Sequence, residues 1–569
     1  MLSLTLIAAL TTAPQGPGPQ VIDRAPVSAA DSARIVRHVR SAQTSFESFR
    51  RTRLPIGYRS SDPCEIRVGR YCYWRGDEQD DKPPPPEEKS IIDRRNALIQ
   101  TLDSASRTLR GDAWIAGQTV RYLVEVDSVD AALDAARACK APAGWCHALA
   151  GYAAHSGSRF ALADSEYSIA LAAMDSTERC AWLDIRDLLT DELSQRYEKA
   201  DCAGRQALAR QALRVGAPLY SISTTDLFTE HLSRVTRARI AERSAAADGE
   251  TWADDVRELM VRYGWPRWYS RTQPDFGSQR PPSIIGHDLG MPYNFIPALS
   301  TLEHVGGTTQ DAWHLDDPRA ATGYAPSYLK TIHDVPNQIA RFRRGDSTLI
   351  VAAWDARKDT TLIGRPLDAA LVVVAHDSIT AATRQSNVRT VGSLATTTLI
   401  DSGLVSLELL APAEKRAARI RIGVGARDTA ALAVSDLLLY SPTSASVSSL
   451  AAVQDNAFAS NVVPPSRELG AYWETYGVMG LTEPAHFTLT IEPTDISWLR
   501  RVAETLRFAD PTRALRIQWQ EVPQTLNGIA GRGVRVDVSQ LRSGKYKLQL
   551  AVETTGGKTS STTKEIEVR

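Results

Sequence analysis

Histidines and carboxylates are concentrated between residues 280 and 335, a stretch with few regular hydrophobic patterns that holds four of the ten histidines. Imidazole and carboxylate groups bind transition metals and act as general acids and bases, so these loops could form a site if they fold together. The candidate catalytic residues are His287, Asp288, His314, Asp316 and His333. The candidate metal ligands are His287, His304, His314 and Asp317.

The spacing of these histidines is irregular, and no helical pattern places two of them on one face. Loop histidines that simply hydrogen-bond to their neighbours are the commoner explanation of such a pattern. The chain also has neither the Gly-x-Ser-x-Gly nor the His-Glu-x-x-His motif. We therefore predict no organic cofactor, and a metal ion only in these loops.

The balance of charges limits the classes of partner. The chain has 569 residues with 66 basic and 66 acidic side chains, and 43% of its residues are hydrophobic, as in ordinary globular proteins. A nucleic-acid-binding protein would carry a basic surplus. The composition predicts no nucleic-acid partner, and the length predicts about three to five structural units.

Residues 1–13 contain the apolar run MLSLTLIAALTT followed by Ala13, which is typical of a secretory signal with a small residue at its cleavage point. No Lys or Arg precedes Arg24, so the segment could instead be a short anchor, and its cleavage stays open. No later stretch reaches the ~18 to 20 apolar residues that span a membrane. We predict an exported protein with no further membrane-spanning segment.

All six cysteines lie in the first 202 residues and fall into sequential pairs, which predicts disulfides in an exported protein. They are Cys64, Cys72, Cys139, Cys146, Cys180 and Cys202. Local pairing suits the first two pairs, because each spans a turn. The third requires a helix break near Thr190, since one continuous helix would separate its Cα atoms by ~33 Å. The gaps do not suit a zinc finger, but sequence alone leaves the connectivity open.

The first half of the chain has helical periodicity. Residues 14–75 contain an amphipathic helix and the first cysteine hairpin, and residues 76–90 form a charged, proline-rich linker. Residues 91–250 are predicted to be a helical repeat-like domain. Trp114 and Trp145 open similar helices 31 residues apart, and Gly151 with Tyr167 resembles the tetratricopeptide pattern of small and aromatic positions. Packed helical hairpins without a peptide groove are an equal alternative.

Residues 217–237 and 251–266 resemble the bacterial GWxTD-domain family. Glu230 and Arg234 match an acidic residue and an arginine on its helix, Trp252 with Asp254 or Asp255 matches its signature, and Tyr263, Gly264 and Pro266 match its turn. Glu250, Ala253 and Trp265 depart from the pattern. The resemblance implies a cell-envelope or secreted bacterial protein, and the family has no settled activity. We assign residues 251–340 to this segment with its histidine-rich loops.

Simpler structural roles are the commoner explanation of the same residues. Glu230 and Arg234 are one helical turn apart, which favours a salt bridge. Trp252, Tyr263 and Trp265 are typical of aromatic core anchors.

The second half changes to alternating periodicity and predicts two β-sandwich-like domains, at residues 341–440 and 467–569, joined by a linker at 441–466. Candidate strands in the first are 347–354, 369–376, 397–400, 404–410, 418–424 and 433–440. In the second, Tyr546 just before a strand resembles the tyrosine corner of immunoglobulin and fibronectin-type sandwiches.

These observations favour an exported, non-catalytic scaffold that binds envelope proteins or polymers, because helical arrays and β modules supply broad binding surfaces without a reactive group. The alternative is a metal-assisted hydrolase or polysaccharide-active enzyme that uses the 280–335 loops.

Overall fold

The computed structural model describes residues 27–57, 64–75, 84–272, 282–287, 291–315, 320–375, 378–400, 402–426, 428–442, 447–463, 468–478, 484–494 and 514–569. It is a mixed α/β structure in which a helical region is followed by several β-sheets. None of the described helices is both long and apolar enough to cross a membrane.

The helical region contains eleven described α-helices and, early in it, three short strands. The helices are α1 (Ala29–Arg51), α2 (Lys89–Thr108), α3 (Ala113–Glu125), α4 (Val129–Ala138), α5 (Ala143–Ser156), α6 (Phe160–Ala172), α7 (Ser176–Trp182), α8 (Asp191–Lys199), α9 (Cys202–Val215), α10 (Asp226–Ala241) and α11 (Asp254–Tyr263). A 3-10 turn covers Arg186–Leu188, and the strands are β1 (Ile56–Gly57), β2 (Ile66–Val68) and β3 (Tyr71–Tyr73).

Local sequence signals explain several of these helices. Asp112, Asp175 and Asp201 each cap a helix by accepting a hydrogen bond from a backbone N–H three residues ahead, which satisfies a donor that the first turn leaves free. The amphipathic helix predicted within residues 14–75 is α1, and its apolar residues Val39 and Phe46 lie in the core. The helices form where capping and apolar periodicity agree.

The three disulfides join sequential cysteines. Cys64 pairs with Cys72 across the β2–β3 hairpin, and Cys139 with Cys146 across the α4–α5 turn. Cys180 pairs with Cys202, with 5.9 Å between their Cα atoms. This last pairing works because α7 ends at Trp182, so that the chain returns through α8, which Thr190 precedes as predicted.

Small residues allow close contact between the helices. A Cβ on Gly151 of α5 would lie 2.8 Å from the ring of Tyr167 on α6, and one on Gly117 of α3 would lie 3.2 Å from Trp145. The core around these contacts continues through α10 into residues 293–332. Helical hairpins therefore share one core with the segment that comes after them.

The segment after α11 has short elements. These are β4 (Trp268–Thr272), β5 (Ile284–His287), α12 (Leu299–Glu303), 3-10 turns at Val305–Gly307 and Gln310–Trp313, and β6 (Thr331–His333). Strand β4 pairs parallel with β1 and antiparallel with β5. Strand β1, which follows α1, therefore anchors the segment after α11 through β4.

The first β region has two sheets whose buried faces share a core. One has the order β10-β9-β12-β13-β6 and the other β11-β8-β7. Their strands are β7 (Asn337–Arg344), β8 (Ser347–Asp355), β9 (Leu367–Ala375), β10 (Ser378–Val388), β11 (Val391–Thr398), β12 (Gly403–Ala411) and β13 (Arg416–Val424).

The second β region also has two sheets over one core. One contains β14, β17, β15 and β20, and the other has the order β16-β22-β21-β18-β19. The elements are β14 (Ala433–Val434), β15 (Leu438–Tyr440), α13 (Ala451–Gln454), β16 (Val462–Val463), β17 (Glu468–Tyr476), β18 (Ala485–Pro493), β19 (Leu515–Glu521), β20 (Ile529–Asp537), β21 (Gly544–Glu553) and β22 (Thr559–Val568).

The strands differ from the predicted set in several ways. Strands β7 and β10 were not predicted, because β7 is rich in arginine and the β10 side chains are mostly exposed, which hides the alternation. The predicted strand 397–400 covers only the end of β11. The predicted strand 433–440 is two short strands that pair with β17, across the predicted boundary. In the predicted linker 441–466, Val447, Leu450 and Val453 are buried beside Tyr472.

Charged side chains of β12 and β13 hold the loop between α9 and α10. Arg421 donates to the carbonyls of Val215, Ala217 and Pro218, and Arg419 donates to that of Pro218. Glu408 accepts from the backbone N–H groups of Tyr220 and Ser221 at 2.9 and 2.8 Å. These three buried side chains, which we call the loop clamp, join the helical region to the first β region.

Candidate functional site

A cavity of about 210 Å³ lies where the helical region meets the segment after α11. Helix α5 contributes Tyr152 and His155, and α10 contributes Glu230, Ser233, Arg234 and Arg237. Residues 263–267 and Tyr269 form another wall, and Arg50 and Glu125 come from α1 and α3. Asp127, Arg267 and Ser327 line it as exposed residues, so they mark its mouth. We call this the junction cavity.

A chain of charged hydrogen bonds crosses one wall of the junction cavity. The Nε2 atom of His155 lies 2.7 Å from Oε2 of Glu230, and Arg234 Nε donates to Oε1 of Glu230 at 2.6 Å. The other ring nitrogen of His155 lies 2.8 Å from the Thr229 hydroxyl. Burial would raise the pKa of Glu230, but the charges of Arg234 and His155 outweigh it and hold that pKa well below its usual range.

Arg234 also ties three elements together. Its Nη1 donates to the carbonyl oxygens of Val261 and Arg262, and its Nη2 donates to that of Gly323 at 2.9 Å. Gly264 ends α11 with φ 89°, in the left-handed region that favours glycine, and lies against this guanidinium. All three nitrogens of Arg234 are therefore occupied, which makes it a positioning residue.

Arg237, one turn further along α10, has fewer partners. Its Nη1 donates to the Tyr152 hydroxyl at 2.5 Å, and its guanidinium carbon lies 4.6 Å from the ring centre of Trp265. No carboxylate of the described residues forms an ion pair with it within 4.0 Å. Arg237 is half-buried and lines the junction cavity, and its charge acts on Glu125 of the same cavity from beyond ion-pair distance.

Tyr269 has a buried hydroxyl without a partner. The side chain is 5% exposed, it lines the junction cavity, and its hydroxyl makes no hydrogen bond to any described residue. Burial raises the pKa of this phenol far above its usual value, so the group is a neutral O–H donor. An unpaired buried donor costs about 1 to 3 kcal/mol, so a ligand that accepts from it would recover that loss.

An ionic network reaches the cavity through Arg50 and Glu125. Arg50 lies 2.7 Å from Glu125, and Arg121 donates to Glu47 at 2.8 Å. Burial acts to raise the pKa of Glu125, but Arg50 and its neighbouring arginines lower it to about 2. The negative charge of Glu125 is therefore permanent and already compensated.

The residues that carry the resemblance to the GWxTD family are divided between this cavity and its support. Glu230, Arg234, Tyr263 and Gly264 line the cavity. The partly buried Trp252 packs against the apolar contact between α10 and α11, and Asp254 begins α11.

Asp255 instead holds the first cysteine hairpin. It accepts from Arg70 Nε at 2.8 Å and from the Arg70 backbone N–H at 3.1 Å, which lowers the pKa of its carboxyl well below the usual range. A Cβ on Gly69 would lie 2.3 Å from the Cβ of Asp255, so only glycine allows this approach. The disulfide hairpin is thereby docked on α11.

The histidines predicted as catalytic or metal-binding lie on separate elements. His287 ends β5, where it stacks on Trp268 and lies 2.8 Å from the Ser270 hydroxyl, and His333 ends β6 beside the Asp359 carboxylate. His304 and His314 are exposed. Asp288, Asp316 and Asp317 lie outside the described residues. Among the residues that are described, no group of three or more potential ligands could hold a metal ion.

Sequence reasoning did not identify Tyr152, His155, Arg237 or Tyr269. They come from elements about 30 to 120 positions apart in the chain, so no local pattern joins them. The one available signal was His155, a polar residue in the alanine-rich run of α5, where only a buried partner would keep it.

Comparisons with known proteins add little. No family model matches the chain, and no curated protein matches it. Red sea bream transglutaminase is 14% identical with a TM-score of 0.12, covering 41% of this chain and 31% of that one. The FN1-FN3 domains of chicken CNTN1 are 10% identical with a TM-score of 0.15, covering 42% and 67%. A glycosyl hydrolase family 2 member from Bacteroides cellulosilyticus is 11% identical with a TM-score of 0.16, covering 46% and 33%. The chain thus spans about a third of the transglutaminase and the hydrolase, and TM-scores this low carry no functional argument.

Proposed function

We propose that this protein is an exported, non-catalytic binding protein of the bacterial cell envelope, and that it binds its ligand in the junction cavity. The observation that carries the proposal is the meeting of two independent sets of residues in one cavity. Glu230, Arg234 and Tyr263 come from the GWxTD-like segment, and Tyr152 and His155 come from the helical hairpins.

Export is supported by the cysteines and by the N-terminal sequence. Three disulfides are formed within the helical region, and disulfides persist in oxidising compartments. The apolar start MLSLTLIAALTT fits a secretory signal. Both features, together with the GWxTD-like residues, agree with a bacterial envelope protein.

A binding role without catalysis is supported by the occupation of the reactive groups. His155 and Arg234 both face Glu230, and the Ser233 hydroxyl lies 3.0 Å from that of Tyr167. A general base needs a lone pair that can reach a substrate proton, and a serine nucleophile needs such a base beside it. In this cavity those groups position one another.

The remaining regions act as scaffold in this proposal. We include in it a tetratricopeptide-like packing of the hairpins, supported by the contact of Gly151 with Tyr167, and sandwich architecture in both β regions. In the second β region, the Tyr546 hydroxyl donates to the Arg542 carbonyl at 2.9 Å, as a tyrosine corner would. Such modules present surfaces for envelope proteins or polymers.

Hydrogen-exchange mass spectrometry on the full chain tests the proposal. Small metabolites from an envelope extract, added in pools, should slow backbone amide exchange in α5, in α10 and in residues 263–269 at the same time. The variant Ala325→Trp, which fills the cavity, should lose this protection, whereas Ala173→Trp, at an exposed position after α6, should keep it. The bound compound should be recovered chemically unchanged. Protection that persists in Ala325→Trp, or a converted compound, would reject the proposal.

A further inference from the structure

We propose that the ligand of the junction cavity is a small organic monocarboxylate, whose carboxylate is bound by the guanidinium of Arg237 and the hydroxyl of Tyr269. This inference rests on the proposed function, because it names the chemical class of what the cavity binds. It depends on two unsatisfied groups and on the charges around them.

The charges favour an anion. Arg50 is paired with Glu125 and Arg234 with Glu230, at 2.7 and 2.6 Å, so these cations are neutralised within the protein. Arg237 donates one hydrogen bond, to the Tyr152 hydroxyl, and stacks on Trp265, while Glu125, on which its charge acts, is paired with Arg50. A guanidinium offers five donors, and one of them is used here, so the group can still bind a carboxylate through a pair of N–H groups.

The second observation is independent of this charge. Tyr269 is 95% buried, since 5% of its surface is exposed, and its hydroxyl has no hydrogen-bond partner among the described residues. It lines the same cavity from β4, on the wall formed by the segment after α11. A protonated phenol can donate one hydrogen bond, and it needs an acceptor to do so. A carboxylate oxygen is such an acceptor.

The same charges disfavour a phosphate. A phosphate monoester carries up to two negative charges near neutral pH, and it would need more than one free cation. Inside the cavity the guanidinium without an ion pair among the described residues is that of Arg237, which matches one negative charge, whereas Arg267, which also has none, is exposed at the mouth.

The size of the cavity limits the ligand as well. Drug-sized ligands occupy sites of roughly 300 to 1,000 Å³, whereas this cavity has about 210 Å³. Asp127, Arg267 and Ser327 at the mouth are exposed, so the cavity faces solvent on that side. The ligand is therefore a small acid, and a polymer is excluded from the interior.

Titration calorimetry on the full chain tests the inference with butyrate, benzoate, their neutral amides butyramide and benzamide, and inorganic phosphate. At least one carboxylate should bind, its amide should bind about tenfold more weakly or not at all, and phosphate should not bind. Arg237→Gln should weaken carboxylate binding by about tenfold or more, and Tyr269→Phe by a few fold. Arg237→Lys keeps the charge but loses the paired donors. Its carboxylate affinity should therefore lie between those of Arg237→Gln and Tyr269→Phe.

The control is Arg239→Gln on the same helix, because Arg239 is exposed and does not line the cavity. It should leave binding unchanged. Equal binding of acid and amide, binding of phosphate alone, no carboxylate binding, or full binding by Arg237→Gln would each overturn the inference. Melting curves confirm that each variant is folded. A neutral compound that protects the cavity in hydrogen exchange would leave the proposed function standing while this inference fails.

Discussion

The loop clamp and the junction cavity both use buried arginines to join the helical region to later parts of the chain, but they differ in how completely those groups are satisfied. In the clamp, Arg421 and Glu408 have backbone groups as partners on the opposite element. In the cavity, Arg237 and Tyr269 have donors to spare. The clamp side chains complete most of their hydrogen bonds within the protein, with Arg421 Nε as an exception, whereas the cavity leaves most of the Arg237 donors and the Tyr269 hydroxyl for a ligand.

Arg421→Met should cause the largest loss of stability among these substitutions. It leaves the buried carbonyls of Val215, Ala217 and Pro218 without this donor, which we expect to cost about 3 kcal/mol or more of the free energy of unfolding. Urea denaturation followed by circular dichroism measures it.

Arg416→Met on the same strand is the matched control, because no hydrogen bond or ion pair of its side chain is found among the described residues. It should change the free energy of unfolding by less than about 0.5 kcal/mol. A similar loss in the two variants would show that the clamp is no more than a surface contact.

Asp226 begins α10, between the loop clamp and the junction cavity. Its ionised carboxylate should destabilise the fold at neutral pH. Burial raises the pKa of its carboxyl from 3.8 to about 7, although Tyr328 donates a hydrogen bond to it. A raised folded-state pKa gives stability that is complete below pH 3.8 and is lost as the pH rises through about 7. Asp226→Asn, which cannot ionise, should therefore gain up to about 2 to 4 kcal/mol over the wild type at pH 8 and little at pH 4. Thermal unfolding at both pH values tests this, and an equal effect at both would contradict it.

Glu230→Gln should show the opposite dependence on pH. The pKa of Glu230 is held below its ordinary value of 4.5, so its ionised form stabilises the fold above that pH, and this stability is lost as the pH falls toward the depressed pKa. At pH 7 we expect the variant to lose about 2 kcal/mol, because Arg234 and His155 lose a charged acceptor. The difference from wild type should shrink below pH 4.5 in urea denaturation. A difference that is constant with pH would mean that the carboxylate charge contributes nothing.

The parts of the molecule that could be predicted from the sequence are those governed by nearby residues. The face of α1, the Cys64–Cys72 hairpin and the one-turn spacing of Glu230 and Arg234 all depend on positions within a few turns of one another. The requirement for a break between Cys180 and Cys202 followed from the length of a helix.

The features that could not be predicted depend on contacts across long distances in the chain. Arg237 meets Tyr152 across 85 positions, and β15 pairs with β17 although a predicted linker separates them. A short strand that is buried on both faces, such as 438–440, shows no alternation that could indicate its partner. The histidines between 280 and 335 were predicted as a site from local composition alone. The cavity is formed by helix faces that meet in the folded chain, which local composition does not indicate.

Arg237→Met should change stability least, although Arg237 lies in the same helix as Glu230 and Arg234. Its one hydrogen bond to the described protein goes to the neutral Tyr152 hydroxyl, so we expect a loss of less than about 1 kcal/mol in the free energy of unfolding. Methionine retains much of the apolar contact with Trp265, and it also removes a half-buried charge that no carboxylate of the described residues pairs with. Urea denaturation of Arg237→Met and Arg421→Met under the same conditions compares the two arginines directly. A loss as large as that of Arg421→Met would make Arg237 a structural arginine like those of the clamp, and the distinction between the two regions would disappear. A near-neutral effect, together with a loss of carboxylate binding, is expected of an arginine whose partner is a ligand.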